Sequence, residues 1–207
     1  NNIKQVKPFV DSIELLYFEG MKKVDLPTKR EIEYINRSDL DYVVHLPIDT
    51  KNFKKIENFI KSFNQVNNVK YFIIHIDYNK KAIKFLKYLK DKYKKNILAE
   101  NYDNKIDNLN KFVRNNIDIC LDIGHILHLH PMFIKKFLNK NKNAIKYLHL
   151  HGSTGGKDHK SIKMLREDLL LFILNCSIAN NITLCVEVFS FNDFIESIYT
   201  INRLVKC

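Results

Sequence analysis

Apolar and polar positions along the chain follow two periods in alternation. Short runs of β-branched and aromatic residues recur between longer segments whose apolar residues fall at i, i+3 and i+4. The first kind predicts buried strands and the second predicts amphipathic helices that cover them. Seven strands are predicted: Ser12–Phe18, Asp41–Leu46, Val69–Ile76, Asn96–Glu100, Ile117–Asp122, Ile145–Leu150 and Ile182–Val188. Helical spacing is plainest in Phe53, Ile56, Phe59, Ile60 and Phe63, and again in Ile83, Leu86 and Leu89.

Helix starts agree with this division. Pro27 and Thr28 precede Lys29–Asn36, Thr50 precedes Lys51–Val66, Pro131 opens Met132–Lys140, and Ser190 precedes a last helix running through Val205. Asn2–Val10 reads as a short amphipathic helix. Strand and helix in strict alternation predict βα units and a parallel sheet, hence an α/β fold of the (β/α)8 TIM-barrel type. Such a barrel has eight strands and only seven are found. Because the chain also opens on Asn1, the first β-strand is expected to be missing, leaving residues 1–207 as a single, N-terminally truncated catalytic domain with no internal linker.

Composition narrows the class of protein. The 207 residues can bury a substantial core without disulfide or metal staples. Neither a run of about 18 apolar residues nor a charged, apolar and cleavable leader is present, so a membrane role is not expected and a cytoplasmic location is. Cys120, Cys176, Cys185 and Cys207 are scattered singly and read as small hydrophobes in a reducing compartment. The net charge of +11 suits a polyanionic partner, but the 29 lysines, 5 arginines and 24 asparagines are spread along the whole chain. A compositional bias explains that spread better than a nucleic-acid surface, and nucleic acid is not the expected partner.

In a barrel of this type the active site lies at the C-terminal ends of the strands. Metal-capable residues stand at nearly every such end: Glu19, His45, His75, Glu100, Asp122 with His125, His149 with His151, then Asp158 and His159 after the Gly152–Gly156 loop, and Glu187. Histidines and carboxylates in apolar strands are costly unless coordination or pairing compensates them. Imidazoles and carboxylates without a thiolate favour Zn, Mn, Fe or Co over Ca or Mg, and there are too many donors for one open tetrahedral site, so two or three divalent ions are expected, Zn foremost. Carboxylates such as Glu100 and Glu187 can bridge ions. A clustered centre suits phosphoryl chemistry, because it supplies a nucleophile at neutral pH and clamps attacking and leaving oxygens.

HLP at His45, IIHI at His75, AEN at Glu100, LDIGH at Asp122–His125, HLHG at His149–Gly152, DHKS at Asp158–Ser161 and VEV at Glu187 resemble the endonuclease IV and xylose-isomerase-like superfamily, AP endonuclease family 2. Within it, DSIELLYFE, VVHLPID, CLDIGH, HLHG with KDHKSI, and LCVEVFS most resemble the CbiR-like cobamide-remodelling phosphodiesterases, which hydrolyse the nucleotide loop of corrinoids. The resemblance implies metal ligation by His45, His75, Glu100, Asp122, His125, His149, His159 and Glu187, with Glu100, Glu187, Asp122 and His159 central to catalysis. It implies a small-molecule corrinoid as the substrate. One departure stands out: endonuclease IV has an acid two residues before the loop histidine, where this chain has Lys157, and Asp158 adjoins His159 instead. A third ion then lacks its carboxylate unless Asp158 supplies it.

Other polar and aromatic residues complete the picture. Glu19, His151, Lys157 and Asp158 are expected to contact the substrate, Lys157 as a point charge on a mobile glycine-rich loop. His128 and His130 read as a solvated pair at a helix start, and Phe189 and Tyr102 as core. Three alternatives share the ligand set. An abasic-site DNA endonuclease fits the positive charge, but the connections are short for wrapping a duplex. A sugar isomerase or epimerase would use Glu100, Asp122, His149 and Glu187 around one ion and leave the other histidines idle. A non-catalytic binding module would have no use for the full set.

Overall fold

The computed structural model describes residues 2–17, 26–47, 52–101 and 106–205 of the chain, with two compact units, Asn1–Glu100 and Asn101–Cys207. The first runs α1 (Asn2–Val6), β1 (Ser12–Leu16), α2 (Lys29–Asn36), β2 (Asp41–His45), α3 (Phe53–Ser62), β3 (Val69–His75), α4 (Lys80–Tyr93) and β4 (Ile97–Glu100). Its strands pair in parallel in chain order, β1 to β2 to β3 to β4. The helices that follow β2 and β3 each bury one face: Ile56, Phe59 and Ile60 of α3, and Ala82, Phe85, Leu86 and Leu89 of α4. Burial of the isoleucine, leucine and phenylalanine side chains among these contributes about 1.5–3 kcal/mol apiece.

Local chemistry sets the helix ends. Thr28 caps α2 through a reciprocal box, the Glu31 N–H donating to Thr28 Oγ1 at 3.2 Å and the Thr28 N–H to Glu31 Oε2 at 2.7 Å. Helix α3 is shorter than the expected Lys51–Val66. Asn52 is its cap, accepting from the Lys55 N–H at 3.1 Å, and the helix stops before Phe63, whose ring turns edge-on to Phe72 of β3. Thr50, the expected cap, lies outside the described residues. The expected helix Asn2–Val10 is α1 followed by a tighter turn at Lys7–Phe9 that contains Pro8.

The second unit runs α5 (Leu109–Val113), β5 (Ile119–Asp122), α6 (Pro131–Asn141), β6 (Ile145–Leu150), β7 (Gly152–Thr154), β8 (Lys157–Lys160), α7 (Glu167–Asn180), β9 (Thr183–Val186) and α8 (Phe191–Val205). Strands β5, β6 and β9 pair in parallel. Strands β7 and β8 form an antiparallel hairpin where a mobile loop was expected. Gly155 (φ 56°) and Gly156 (φ 73°) supply the two positive φ angles of a type I′ turn, whose twist matches that of flanking strands.

The chain is therefore α/β of the (β/α)8-barrel type with seven parallel strands, as expected, and the hairpin stands outside the parallel set. Every predicted strand among the described residues is present, with ends trimmed by up to two residues. Phe18 lies outside the described residues. No helix among the described residues is long and apolar enough to cross a membrane.

Candidate metal centre

Register brings donors side by side at the C-terminal ends of the strands. In the first unit, β3 and β4 pair so that His75 stands beside Glu100. His45 closes β2, and all three side chains are buried. Glu100 Oε2 lies 3.0 Å from His45 Nε2 and 2.7 Å from His75 Nε2. The other nitrogen of His45, Nδ1, lies 3.1 Å from the Leu46 carbonyl. Both nitrogens of His45 thus face oxygen acceptors, whereas a neutral imidazole carries a single N–H. A proton on Nδ1 donates to Leu46, and the Nε2 lone pair is then set against a carboxylate. Carbonyl-oriented imidazole opposite a carboxylate is the arrangement that holds a cation between Nε2 and the oxygens.

In the second unit, Asp122 ends β5 directly beside His149 of β6. Around the Asp122 carboxylate stand His151 Nε2 at 3.4 Å from Oδ1, with His125 Nδ1 at 3.6 Å and His149 Nδ1 at 3.8 Å from Oδ2. Burial pushes the Asp122 carboxyl up, but the His149 and His151 imidazoles outweigh it and hold it well below the usual carboxylate range. Burial likewise opposes a charge on His151, and Asp122 more than compensates, so its imidazole is raised. Burial and the neighbouring His151 both lower His159.

Glu187 follows β9 and is fixed by its own N–H, which donates to the Leu150 carbonyl at 3.1 Å. Its Oε2 lies 3.3 Å from His149 Nδ1 and 3.6 Å from His159 Nδ1. Residue 159 sits in the left-handed region at φ 56°, where a residue with a Cβ is strained. That conformation brings the His159 ring 4.2 Å from the ring of His151 and its Nδ1 3.2 Å from the Glu187 carbonyl. The chain leaving β8 is held by α8, the Ser161 N–H donating to Asp193 Oδ1 at 3.2 Å and the Ile162 N–H to Ser197 Oγ at 3.1 Å.

All eight residues expected as ligands therefore fall into two sets. His45, His75 and Glu100 gather in the first unit, and Asp122, His125, His149, His159 and Glu187 in the second. Donor atoms lie within 4.8 Å of one another in His45–His75–Glu100, in Asp122–His125–His151 and in His151–His159–Glu187. Asp122 Oδ2 and His151 Nε2 are buried without a hydrogen-bond partner, which fits a group that coordination would satisfy.

The residues expected at the substrate divide. Lys157 and Asp158 are exposed on the hairpin, whereas His151 is fully buried, and Glu19 lies outside the described residues. Phe189, expected in the core, is 61 % exposed and lies 4.3 Å from the His159 ring. Tyr102 lies outside the described residues. His130 caps α6, accepting from the Met132 N–H at 3.3 Å, and His128 is exposed, both as expected.

Two functional residues escaped the sequence reading. Asn101, fully buried, donates to the Asp122 carbonyl at 2.9 Å and accepts from the Asp122 N–H at 2.8 Å, and its own carbonyl lies 2.9 Å from His125 Nδ1. It orients both Asp122 and His125, and its signal was an amide directly after Glu100 at the end of an apolar strand. Gly124 is the other: a Cβ there would collide with the His151 ring. Nothing in the sequence tied those two positions together.

No family model matches the chain, and no curated protein matches it. Its fold is similar to that of an uncharacterised protein from Parabacteroides distasonis ATCC 8503 known from a crystal structure. The two share 16 % identity at a TM-score of 0.52, over 79 % of this chain and 67 % of that one. Identity at that level speaks for the fold alone.

Proposed function

We propose that the chain is a metal-dependent phosphodiesterase that hydrolyses the nucleotide loop of cobamides. The observation that carries the metal-dependent part is the His45–Glu100–His75 set, in which one buried carboxylate oxygen meets two imidazole nitrogens at 3.0 and 2.7 Å. Nitrogen and carboxylate donors without thiolate suit Zn, with Mn, Fe or Co as further candidates. His45, His75 and Glu100 would hold one ion, and Asp122, His125, His149, His159 and Glu187 would hold the rest of a set of two or three. A divalent ion supplies Lewis-acid polarisation of a phosphoryl oxygen and neutralises charge on the departing alkoxide.

The chain's own groups do the positioning. Glu100 and Glu187 fix the imidazoles around them, and Asn101 holds the Asp122 and His125 orientation that the ions require. Lys157 and Asp158, exposed on the hairpin, are the groups free to meet a substrate, the lysine as a point charge for phosphate. The phosphodiester class follows from clustered donors of this type. The cobamide itself rests on the likeness of the His45, Asp122–His125, His149–Gly152 and Glu187 motifs to the cobamide-remodelling enzymes.

The test is to incubate the metal-reconstituted protein with a panel of cobamides and with abasic duplex DNA, and to follow products by mass spectrometry. Cleavage of the lower-nucleotide phosphodiester is expected, abolished by chelation and lowered about 10²-fold or more in Glu187→Gln, in line with the loss of other strong electrostatic contributors. Cleavage of DNA with no cobamide turned over would overturn the substrate.

A further inference from the structure

His151 has the surroundings of a ligand. It is fully buried, its ring abuts the bare backbone of Gly124, and Nε2 faces Asp122 Oδ1 at 3.4 Å without a hydrogen bond. The opposite nitrogen, Nδ1, lies 3.2 Å from the Gly152 carbonyl and 3.2 Å from the His159 N–H. Nδ1 cannot serve both partners: when its proton donates to Gly152, the His159 N–H makes no bond to it, and the Nε2 lone pair points at a carboxylate edge. His125 also has Nδ1 on a backbone carbonyl, that of Asn101 at 2.9 Å, and the same nitrogen lies 3.6 Å from Asp122 Oδ2. Two carbonyl-oriented imidazoles and one carboxylate, Asp122, converge, and the carboxylate's Oδ2 is likewise buried without a hydrogen-bond partner.

We propose that His151 is a metal ligand, its Nε2 joining Asp122 and His125 around a divalent cation of the Zn or Co class. The inference rests on the metal-dependent reading above and names the residue that completes the second unit's set. Asp158, the carboxylate expected to stand in for the missing acid before His159, is exposed on β8 and belongs to none of the donor groups described above. His151 supplies a donor from the end of β6 instead. Two local features share this purpose: a fully buried imidazole, costly unless it is paired or coordinated, and a glycine that vacates the space its ring fills. An imidazole in place of a carboxylate also makes this site one negative charge poorer, which favours the borderline N-loving cations over Mg or Ca.

The test reads binding, not turnover. Zn titrations of wild-type protein and of His151→Gln, by calorimetry with metal counts per chain, should show one ion lost or bound at least about tenfold more weakly in the variant. The ion held by His45, His75 and Glu100 should be retained, which also reports that the variant is folded. On the wild type itself, the 15N resonance of His151 Nε2 should move to the metal-bound position when Zn is added to chelator-stripped protein. That measurement decides the matter even if His151→Gln fails to fold. An unmoved resonance, or a variant with unchanged stoichiometry and affinity, overturns the proposal. Wild-type protein that takes up no ion overturns this proposal and the metal-dependent reading together. Uptake through His151 without any phosphodiester cleavage would leave the ligand assignment standing and remove the phosphodiesterase reading.

Discussion

Glu100 Oε2 and His45 Nε2 lie 3.0 Å apart at the ends of two strands, both almost wholly withdrawn from water. With the Leu46 carbonyl on the other ring nitrogen, the imidazole confronts two acceptors. Such a pair is stable when a positive charge sits between its members and poor when none does. Glu100→Gln removes the charge but offers an N–H to the Nε2 lone pair. The metal-free variant is therefore expected to be at least as stable as metal-free wild type, while losing the rise in melting temperature that Zn gives wild type. At a hundredfold excess over Kd that rise corresponds to about 2.7 kcal/mol. Thermal melts with and without Zn check it, and an undiminished Zn response in Glu100→Gln would remove Glu100 from the ligand set.

Gly124→Ala places a methyl group where the His151 ring now lies. Since His151 is fully buried, the ring must move or the backbone must, a change that typically costs about 1–3 kcal/mol. Urea denaturation of the two proteins checks the loss. An equal midpoint would mean that the ring has room the structure does not show.

Asn101→Ala leaves the Asp122 N–H and C=O without their side-chain partners inside the second unit. Each buried group left unsatisfied costs about 1–3 kcal/mol. The variant should lose stability by that order and loosen His125 as well, because the backbone carbonyl at position 101 is no longer held in place by the amide. Chemical denaturation, together with the His125 ring resonances by NMR, tests both halves.

Glu57 of α3 gathers three donors from α4 on its Oε1: Lys92 Nζ at 2.7 Å, Tyr88 OH at 2.8 Å and Tyr93 OH at 3.0 Å. The Lys92 hydrogen bond, followed by that of Tyr88, holds its carboxyl below the ordinary 4.5. A depressed carboxyl stabilises the fold above its unfolded pKa and loses that contribution as pH falls through the lower folded value. Glu57→Gln should therefore lower the urea midpoint slightly at neutral pH, with the gap to wild type closing in acid below about pH 4.5. A gap that stays constant with pH would assign the helix contact to packing alone, such as the stacked Phe53 and Phe85 rings 4.0 Å apart.

The sequence by itself determined the seven parallel strands, the helix faces that cover them and the presence of imidazoles and carboxylates at strand ends. Those are readable because period and capping are local: Thr28 with Glu31, or Ile56 with Phe59 and Ile60, need only each other and a few residues between. Tertiary structure alone decided which donors meet. Strand register set His75 beside Glu100 and Asp122 beside His149, and register is fixed by pairing over long sequence separations, which no spacing records. The Gly155–Gly156 turn folded a presumed loop into a hairpin and strained His159 toward Glu187. The same packing buried His151 against Gly124 and left Asp158 in solvent. A residue's type tells what it can bind, but burial and distance, set by the whole chain, decide whether it does.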